Sequence, residues 1–475
     1  MSFFQQFQKT NKTNDVKVKV VKRAIEQSSF PNSSPRRPTS QRHPIPLVKR
    51  RKLDAEDEPQ RLPRKRATPQ VTSLRALLDD DDDVETMAVA STTPDVEKRE
   101  IIDLAAFNQE PLTIISASDI TKGKYSVDYS PYFTNESKEE AEGLSVYLHF
   151  PVKASEEYIF VKPLKDDEFS PVEELVDMMD NAMKFLNLDA LPEEDRSSLI
   201  HQMKRELRRE NKDAFLVHLK QYNSTIDDAR ASKEIQSNIR KRQNIDSWLV
   251  HFLLGQVYAR AVAPDVDSLR QYQAFSDTVY GELLAPFVTK VLRQVGLQSS
   301  SVFVDLGSGC GNVVAQAALE FGCESWGCEI MQRAATLASK QKTEMKERMR
   351  AWGIRLGEMH LLQNSFLESP EIASALKRAD AVLVNNYAFS PVLNSRLLDL
   401  FLDLKEGCKI ISLKTFTPLD HVIGPLNVES PQNLFSVHQY EYFSNSVSWT
   451  DAYGHYYIST KTSRLLQEYK DSLKV

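Results

Sequence analysis

The stretch VFVDLGSGCGNVVAQAALEFG (302–322) constrains the fold more than any other part of the chain. Five residues of apolar strand run into a turn with glycine at 307, 309 and 311, and an amphipathic helix follows at once. A strand feeding directly into a helix through so short a turn specifies a parallel sheet covered by helices. The downstream pattern agrees. Apolar strands are expected at ESWGCEI, EMHLLQNSF, AVLVNNYAF and CKIISLKTF, and helices at about 312–321, 331–352, 371–378 and 391–404. SVHQYEYF and GHYYISTK then follow with no helix between them, so an antiparallel hairpin closes the edge. The expected class is α/β, a Rossmann-like sheet of seven strands. Ligands of such sheets sit at the carboxyl ends of the strands, near the switch in strand order.

Upstream of the sheet the sequence changes character twice. GLSVYLHFPV and EYIFVKPL alternate like short strands, and SPVEELVDMMDNAMKFLNL (170–188) opens a run of charged and apolar helices reaching about residue 295. Before residue 143 lies a leader with no glycine before Gly123 and few large apolar residues, too little to offset the entropy of folding. The partition is therefore a disordered leader (1–142), a mainly helical part (143–295) and the sheet (296–475).

Charge divides the same way. Residues 1–70 carry 17 Lys/Arg against 6 Asp/Glu, although the whole chain is −6. KRRKLDAEDEPQRLPRKR (49–66) sets two basic clusters about ten residues apart, resembling a bipartite nuclear localisation signal; such clusters also bind nucleic-acid phosphates through counterion release. LLDDDDDVE (77–85) follows as an acidic run. Cys310, Cys323, Cys328 and Cys408 are too few and too poorly spaced for a disulfide framework or a zinc site. No run approaches the roughly 18 apolar residues of a membrane span. The expected protein is soluble, monomeric and nuclear.

The turn discriminates between cofactors. A dinucleotide fingerprint requires glycine at 312, where the chain has Asn312. Asp305, immediately before the turn, repels a pyrophosphate but suits the amino group of S-adenosylmethionine. Glu329, ending the second strand of the sheet, can accept hydrogen bonds from both ribose hydroxyls. Ser365 and Phe366 end the third strand, near the adenine. A nicotinamide dehydrogenase is thus disfavoured.

The acceptor side is read from VNNYAF (384–389), where the fourth strand ends. Methyltransferases acting on base amines carry an Asn/Asp-Pro-Pro-aromatic motif there, whereas this chain has Asn385-Asn386-Tyr387, without the two prolines. A lysine acceptor needs desolvation, because with a pKa of about 10.4 only about one free lysine in a thousand is neutral near pH 7.4. SVSWTDAYGHYYIST (446–460) can supply aromatic walls. A nucleic-acid methyltransferase and an inactive chromatin scaffold remain as alternatives.

Taken together, YGELL (280–284), VFVDLGSGCGN, GCEIM, NSF, VNNYAF, CKIISLK and SVSWT…YYIST resemble, in order over about 143–475, the non-SET histone lysine methyltransferases called disruptor of telomeric silencing, in their fungal form. The resemblance implies a class I S-adenosylmethionine-dependent fold. It implies donor contacts from Tyr280, Gly281, Glu282 and Leu283, and from Phe303, Val304, Asp305, Leu306, Gly307, Ser308, Gly309, Cys310, Gly311 and Asn312. It also implies contacts from Glu329, Ser365 and Phe366; some members carry an acid at the Ser365 position. Asn385 matches the asparagine beside the methyl group, and Trp449 and Tyr456 match the walls of the lysine channel. The implied substrate is a lysine on the globular face of histone H3 in nucleosomes, methylated up to three times, with DNA bound through the leader. Roles in telomeric silencing and the DNA-damage response are implied with it.

Overall fold

The computed structural model describes residues 99–109, 113–165, 168–188, 198–270 and 280–474; the basic clusters and the acidic run of the leader lie outside the described residues. Four short strands come first, β1 (Tyr129–Pro131), β2 (Ser145–His149), β3 (Ser155–Ile159) and β4 (Val161–Pro163), with α1 (Lys138–Gly143) between β1 and β2. They form two small antiparallel sheets, β1 with β4 and β2 with β3. Helices α2 (Pro171–Leu186), α3 (Leu199–Arg208), α4 (Lys212–Ala231), α5 (Glu234–Lys241) and α6 (Ser247–Ala261) follow. Pro171 in the first turn of α2, with Glu173 and Glu174 beside it, gives that helix the start its sequence predicts.

The second half alternates: α7 (Ala285–Gln294), β5 (Val302–Leu306), α8 (Asn312–Glu320), β6 (Glu324–Glu329), α9 (Gln332–Trp352), β7 (Met359–Gln363), α10 (Pro370–Arg378), β8 (Ala381–Val384), α11 (Pro391–Leu400), β9 (Lys409–Ser412), β10 (Phe435–Tyr442), β11 (Gly454–Lys461) and α12 (Arg464–Ser472). The seven strands lie in the order β10-β11-β9-β8-β5-β6-β7. β7, β6, β5, β8 and β9 pair in parallel, and β11 runs against β9 and β10. The order reverses at β5, whose neighbours are β6 and β8, so a crevice opens there. All five residues of β5 are buried, as befits a central strand covered on both faces.

The described residues from 99 to 109 and from 113 to 142 correct the expectation of a leader unstructured to 142. Ile101 and Ile102 are buried, Ile102 bridges Ile354, and the Asp103 N–H donates to the Gly353 carbonyl at 2.9 Å. Phe133 is buried against Phe160. Short apolar runs such as IIDLAAF supply enough buried surface to dock on an existing core, though the average composition around them is polar.

The helical part packs on the sheet as expected. Leu249, Val250 and Leu253 of α6 share a core with Val314 and Ala318 of α8 and Met345 and Met349 of α9. Within that interface lies an ion network whose centre, Glu156 with Arg260 and Arg348, has no exposure. Glu156 of β3 meets Arg260 at 2.9 Å and Arg348 at 2.8 Å, Arg260 also pairs with Glu174, and Arg348 with Glu344. Burial opposes the Glu156 charge, but Arg348 and Arg260 outweigh it and hold the carboxyl below its ordinary range.

Candidate active site

The crevice at the carboxyl ends of β5, β6 and β8 is a cavity of about 380 Å3, lined by residues from the glycine-rich turn, from 280–283 and from the ends of β6 and β8. The turn is held from β6: the Gly307 and Ser308 N–H groups both donate to the Cys328 carbonyl, at 3.0 and 3.1 Å. The Glu329 carboxylate accepts from the Gly309 N–H at 3.0 Å and from the Met331 N–H at 2.7 Å. Glycine is required at 309, where φ is +54° and a Cβ would lie 2.8 Å from the Tyr280 ring. At 311, φ is +83° and a Cβ would lie 2.9 Å from Leu361 Cδ1.

The facing wall is the segment 280–284, and its partner is distant in sequence. Leu283 bridges Val447, Leu284 N–H donates to Ser446 O, and Ser448 N–H donates to Glu282 O. The Ser448 hydroxyl accepts from Glu282 N–H at 2.9 Å. YGELL and SVSWT, separate motifs in the sequence, are therefore one paired unit. Tyr280 and Tyr258 donate their hydroxyls to the Glu282 carboxylate.

Asn385 continues the end of β8 into this wall. Its Nδ2 donates to the Gly281 carbonyl at 3.0 Å. A carbonyl only accepts, so the amide NH2 must face Gly281 and Oδ1 points away from that carbonyl. Oδ1 is buried and meets no protein donor.

The electrostatics are acidic. Burial raises the carboxyl of Asp305, and the Glu329 charge adds to it, pushing it up to about 8. Burial likewise lifts Glu329 and Glu282 above the usual carboxylate range. Three desolvated acids around one cavity favour a cation and disfavour a phosphate. At the far end Phe366 and Phe389 lie 26° from parallel with centroids 6.4 Å apart, walls for a planar ring.

A second cavity, of about 540 Å3, lies beyond this wall and is lined by Tyr387, Leu413, Tyr442, Trp449, Tyr453 and Tyr457, among others. Gly281 lines the first cavity, and a Cβ on it would lie 2.7 Å from Trp449 Cε3. Gly281 and Trp449 are thus the partition between the two. The Tyr387 and Trp449 rings stand 5.4 Å apart at 36°.

Of the residues expected at the donor site, Tyr280, Gly281, Glu282, Leu283, Asp305, Gly307, Ser308, Gly309, Asn312, Glu329, Ser365, Phe366 and Asn385 line the first cavity. Phe303, Val304 and Leu306 do not; they are core residues of β5. Cys310 packs behind the wall with Ala334 and Leu337, and Gly311 against Leu361. Trp449 walls the second cavity, as a channel residue should. Tyr456 does not: it is fully buried, its hydroxyl donates to Gln294 at 2.6 Å, and its ring stacks on Tyr440 and meets the edge of Phe287. Strand alternation along β11 turns Tyr456 toward α7 and leaves Tyr457 on the cavity side. Sequence reasoning missed Phe389, which VNNYAF contains, Ile330, which GCEIM contains, and Leu383 and Arg396.

Residues 258–461 match the family model described as histone methylation protein DOT1. A protein of Emericella nidulans is 43% identical over 390 residues, covering 81% of this chain and 77% of its own length. One from Aspergillus fumigatus is 40% identical over 395 residues, with 81% and 77% covered, and one from Yarrowia lipolytica 47% identical over 310, with 64% and 63%. All three are named histone-lysine N-methyltransferase, H3 lysine-79 specific. The chain belongs to the DOT1 family of histone methylation proteins. It is accordingly an S-adenosylmethionine-dependent methyltransferase of class I fold, and the residues of the first cavity fit that donor. Asp305 offers an acceptor to a cationic ligand, Glu329 stands where a ribose requires an acid, and the phenylalanine walls suit a purine.

Proposed function

We propose that this protein methylates the side-chain amine of lysine 79 of histone H3 in nucleosomes, to the mono-, di- and trimethyl forms, in the nucleus. The leader adds affinity for nucleosomal DNA, and the protein acts as a monomer. Roles in telomeric silencing and in the DNA-damage response follow from that activity. The observation that carries the reading is the pair of cavities meeting at Gly281 and Trp449, one acidic and shaped for the donor, the other aromatic and open to a long side chain.

S-adenosylmethionine supplies, when bound, an electrophilic methyl group on a positively charged sulfur. The chain's residues do the rest. Asp305 and Glu282 place negative charge against a cationic ligand, and Glu329, itself fixed by two backbone N–H groups, presents its oxygens to the ribose. Trp449 and Tyr387 strip water from an entering lysine, which lowers its pKa and favours the neutral amine. Asn385 Oδ1 accepts an N–H of that amine and so aims its lone pair. No strong base is needed: the amine enters deprotonated, or water carries the proton away.

The test is transfer of labelled methyl by the full chain to nucleosomes, free histones and DNA, followed by mass spectrometry of H3. The expected result is label on H3 at lysine 79 in nucleosomes, in all three methylation states. Label on DNA alone, or none, overturns the reading.

A further inference from the structure

The parallel pairing of β8 with β9 ends at Val384 and Ser412. Beyond those residues the two chains part. Asn385 goes to the donor cavity and Tyr387 to the aromatic one on one side, and Leu413 to the aromatic one on the other. Asn386 sits at the fork with no exposure. Its Oδ1 accepts from the Leu413 N–H at 3.0 Å and the Lys414 N–H at 2.8 Å. Its Nδ2 donates to the Lys414 carbonyl at 3.0 Å and to Asn394 Oδ1 at 2.8 Å. Its own carbonyl accepts from the Phe389 N–H at 3.2 Å, and Phe389 walls the donor cavity. The side chain thus extends the ladder by one rung after the backbones have diverged. Lys414, fixed by that rung, carries its ammonium 5.8 Å from the centroid of the Tyr387 ring.

We infer that Asn386 is a positioning residue: it sets the register between the donor cavity and the acceptor cavity by locking Asn385, Tyr387 and Phe389 to Leu413 and Lys414. The inference rests on the functional reading above. The chemistry of the position is demanding. Two N–H groups need an acceptor while a carbonyl and an amide oxygen need donors, and among side chains of this length only a primary amide offers both. Asp removes the donors, and Leu takes their side-chain partner from three backbone groups, of which the Leu413 N–H is buried. Asn386 touches neither cavity, so its effect runs through its neighbours.

The experiment compares the full-length wild type with Asn386→Ala and with a control, Asn433→Ala. Asn433 is about as buried and makes three side-chain hydrogen bonds, to His421, Asn427 and Val428, but lies in the 3-10 turn just before β10. Turnover is measured at saturating nucleosomes, binding of S-adenosylhomocysteine by calorimetry, and Tm for each. The expected result for Asn386→Ala is kcat lower by roughly 10- to 100-fold with the dissociation constant within about threefold of wild type. Asn433→Ala should lose a similar Tm and keep kcat within about twofold. Three results overturn the inference: an unchanged kcat in Asn386→Ala, an equal loss of kcat in Asn433→Ala, or a loss of donor affinity as large as the loss of kcat. If the alanine variant does not fold, Asn386→Asp keeps the volume and the two accepting contacts and is judged by the same criteria. A wild type without nucleosome transfer overturns the functional reading itself and this inference with it.

Discussion

Asn385 donates its side-chain N–H to the carbonyl of Gly281 at 3.0 Å, and that bond fixes the orientation of the side-chain amide. Because Gly281 takes the NH2, the oxygen is left as a buried acceptor without a protein donor, on a residue that lines the donor cavity. Replacing Asn385 by Ala should lower kcat by about 100-fold while S-adenosylhomocysteine binds within a few-fold of wild type. Asn385→Asp should be worse than Ala, since a carboxylate then faces the Gly281 carbonyl. Single-turnover kinetics on nucleosomes, with donor binding measured separately, checks both.

Gly281 is limited by space rather than by backbone angle. A methyl group there would come within 2.7 Å of Trp449 Cε3, against a ring only 8% exposed and already packed. Gly281→Ala should therefore push the indole into the aromatic cavity, at a stability cost of about 1–3 kcal/mol. Transfer to nucleosomes should fall more than donor binding does. A crystal structure or the indole fluorescence of the variant would report the displaced ring.

The strands of the sheet are legible because β5, β6, β7, β8 and β9 are apolar runs with turn residues between them, and their parallel pairing follows from alternation with helices. Asp305 and Glu329 were legible for the same reason: strand ends can be counted along the chain. What the sequence hides is pairing across distance. Nothing local in YGELL or SVSWT says that Leu283 bridges Val447. Nothing in GHYYIST says which of Tyr456 and Tyr457 faces the cavity, because a one-residue change of register reverses the two. Phe303, Val304 and Leu306 belong to the same contiguous motif, but in a central strand buried on both faces their side chains pack into the core, and of β5 only Asp305 reaches the cavity.

Glu156 is the anchor of the helical part, holding Arg260 and Arg348 where none of the three reaches water. Glu156→Ala leaves two guanidinium groups buried without their shared partner and should cost about 3–5 kcal/mol. Glu156→Gln, which keeps an acceptor, should cost less. Because the folded carboxyl is held below its ordinary value, its contribution is present above the unfolded pKa and is lost as pH falls through the folded one. Urea melts at pH 7 and pH 4 should show wild type losing stability on acidification and Glu156→Gln losing less.

Asp305 has the opposite sign. Burial and the Glu329 charge raise its carboxyl to about 8, against about 3.9 for an unfolded aspartate. The protein without ligand is therefore most stable, as far as this group goes, below about pH 3.9; it loses that contribution as pH rises and levels off above about 8. A cationic donor reverses the preference, because it binds the ionised form. The donor's own ammonium, an α-amino group with a pKa of about 8, loses its charge over the same range. Affinity should then rise and fall around a maximum near pH 8, with Asp305 ionising on the acid limb and the ammonium deprotonating on the alkaline limb. Calorimetry in buffers of different ionisation enthalpy should show protons released on binding at pH 7 and taken up at pH 9. Asp305→Asn should abolish the release at pH 7, keep the uptake at pH 9, and weaken binding at pH 8 by roughly 10- to 100-fold. Its melting temperature without ligand should rise relative to wild type at pH 9, where the wild-type carboxylate is buried in its charged form. A wild type that binds the donor with no proton release at pH 7 would mean that Asp305 is already ionised before the donor arrives.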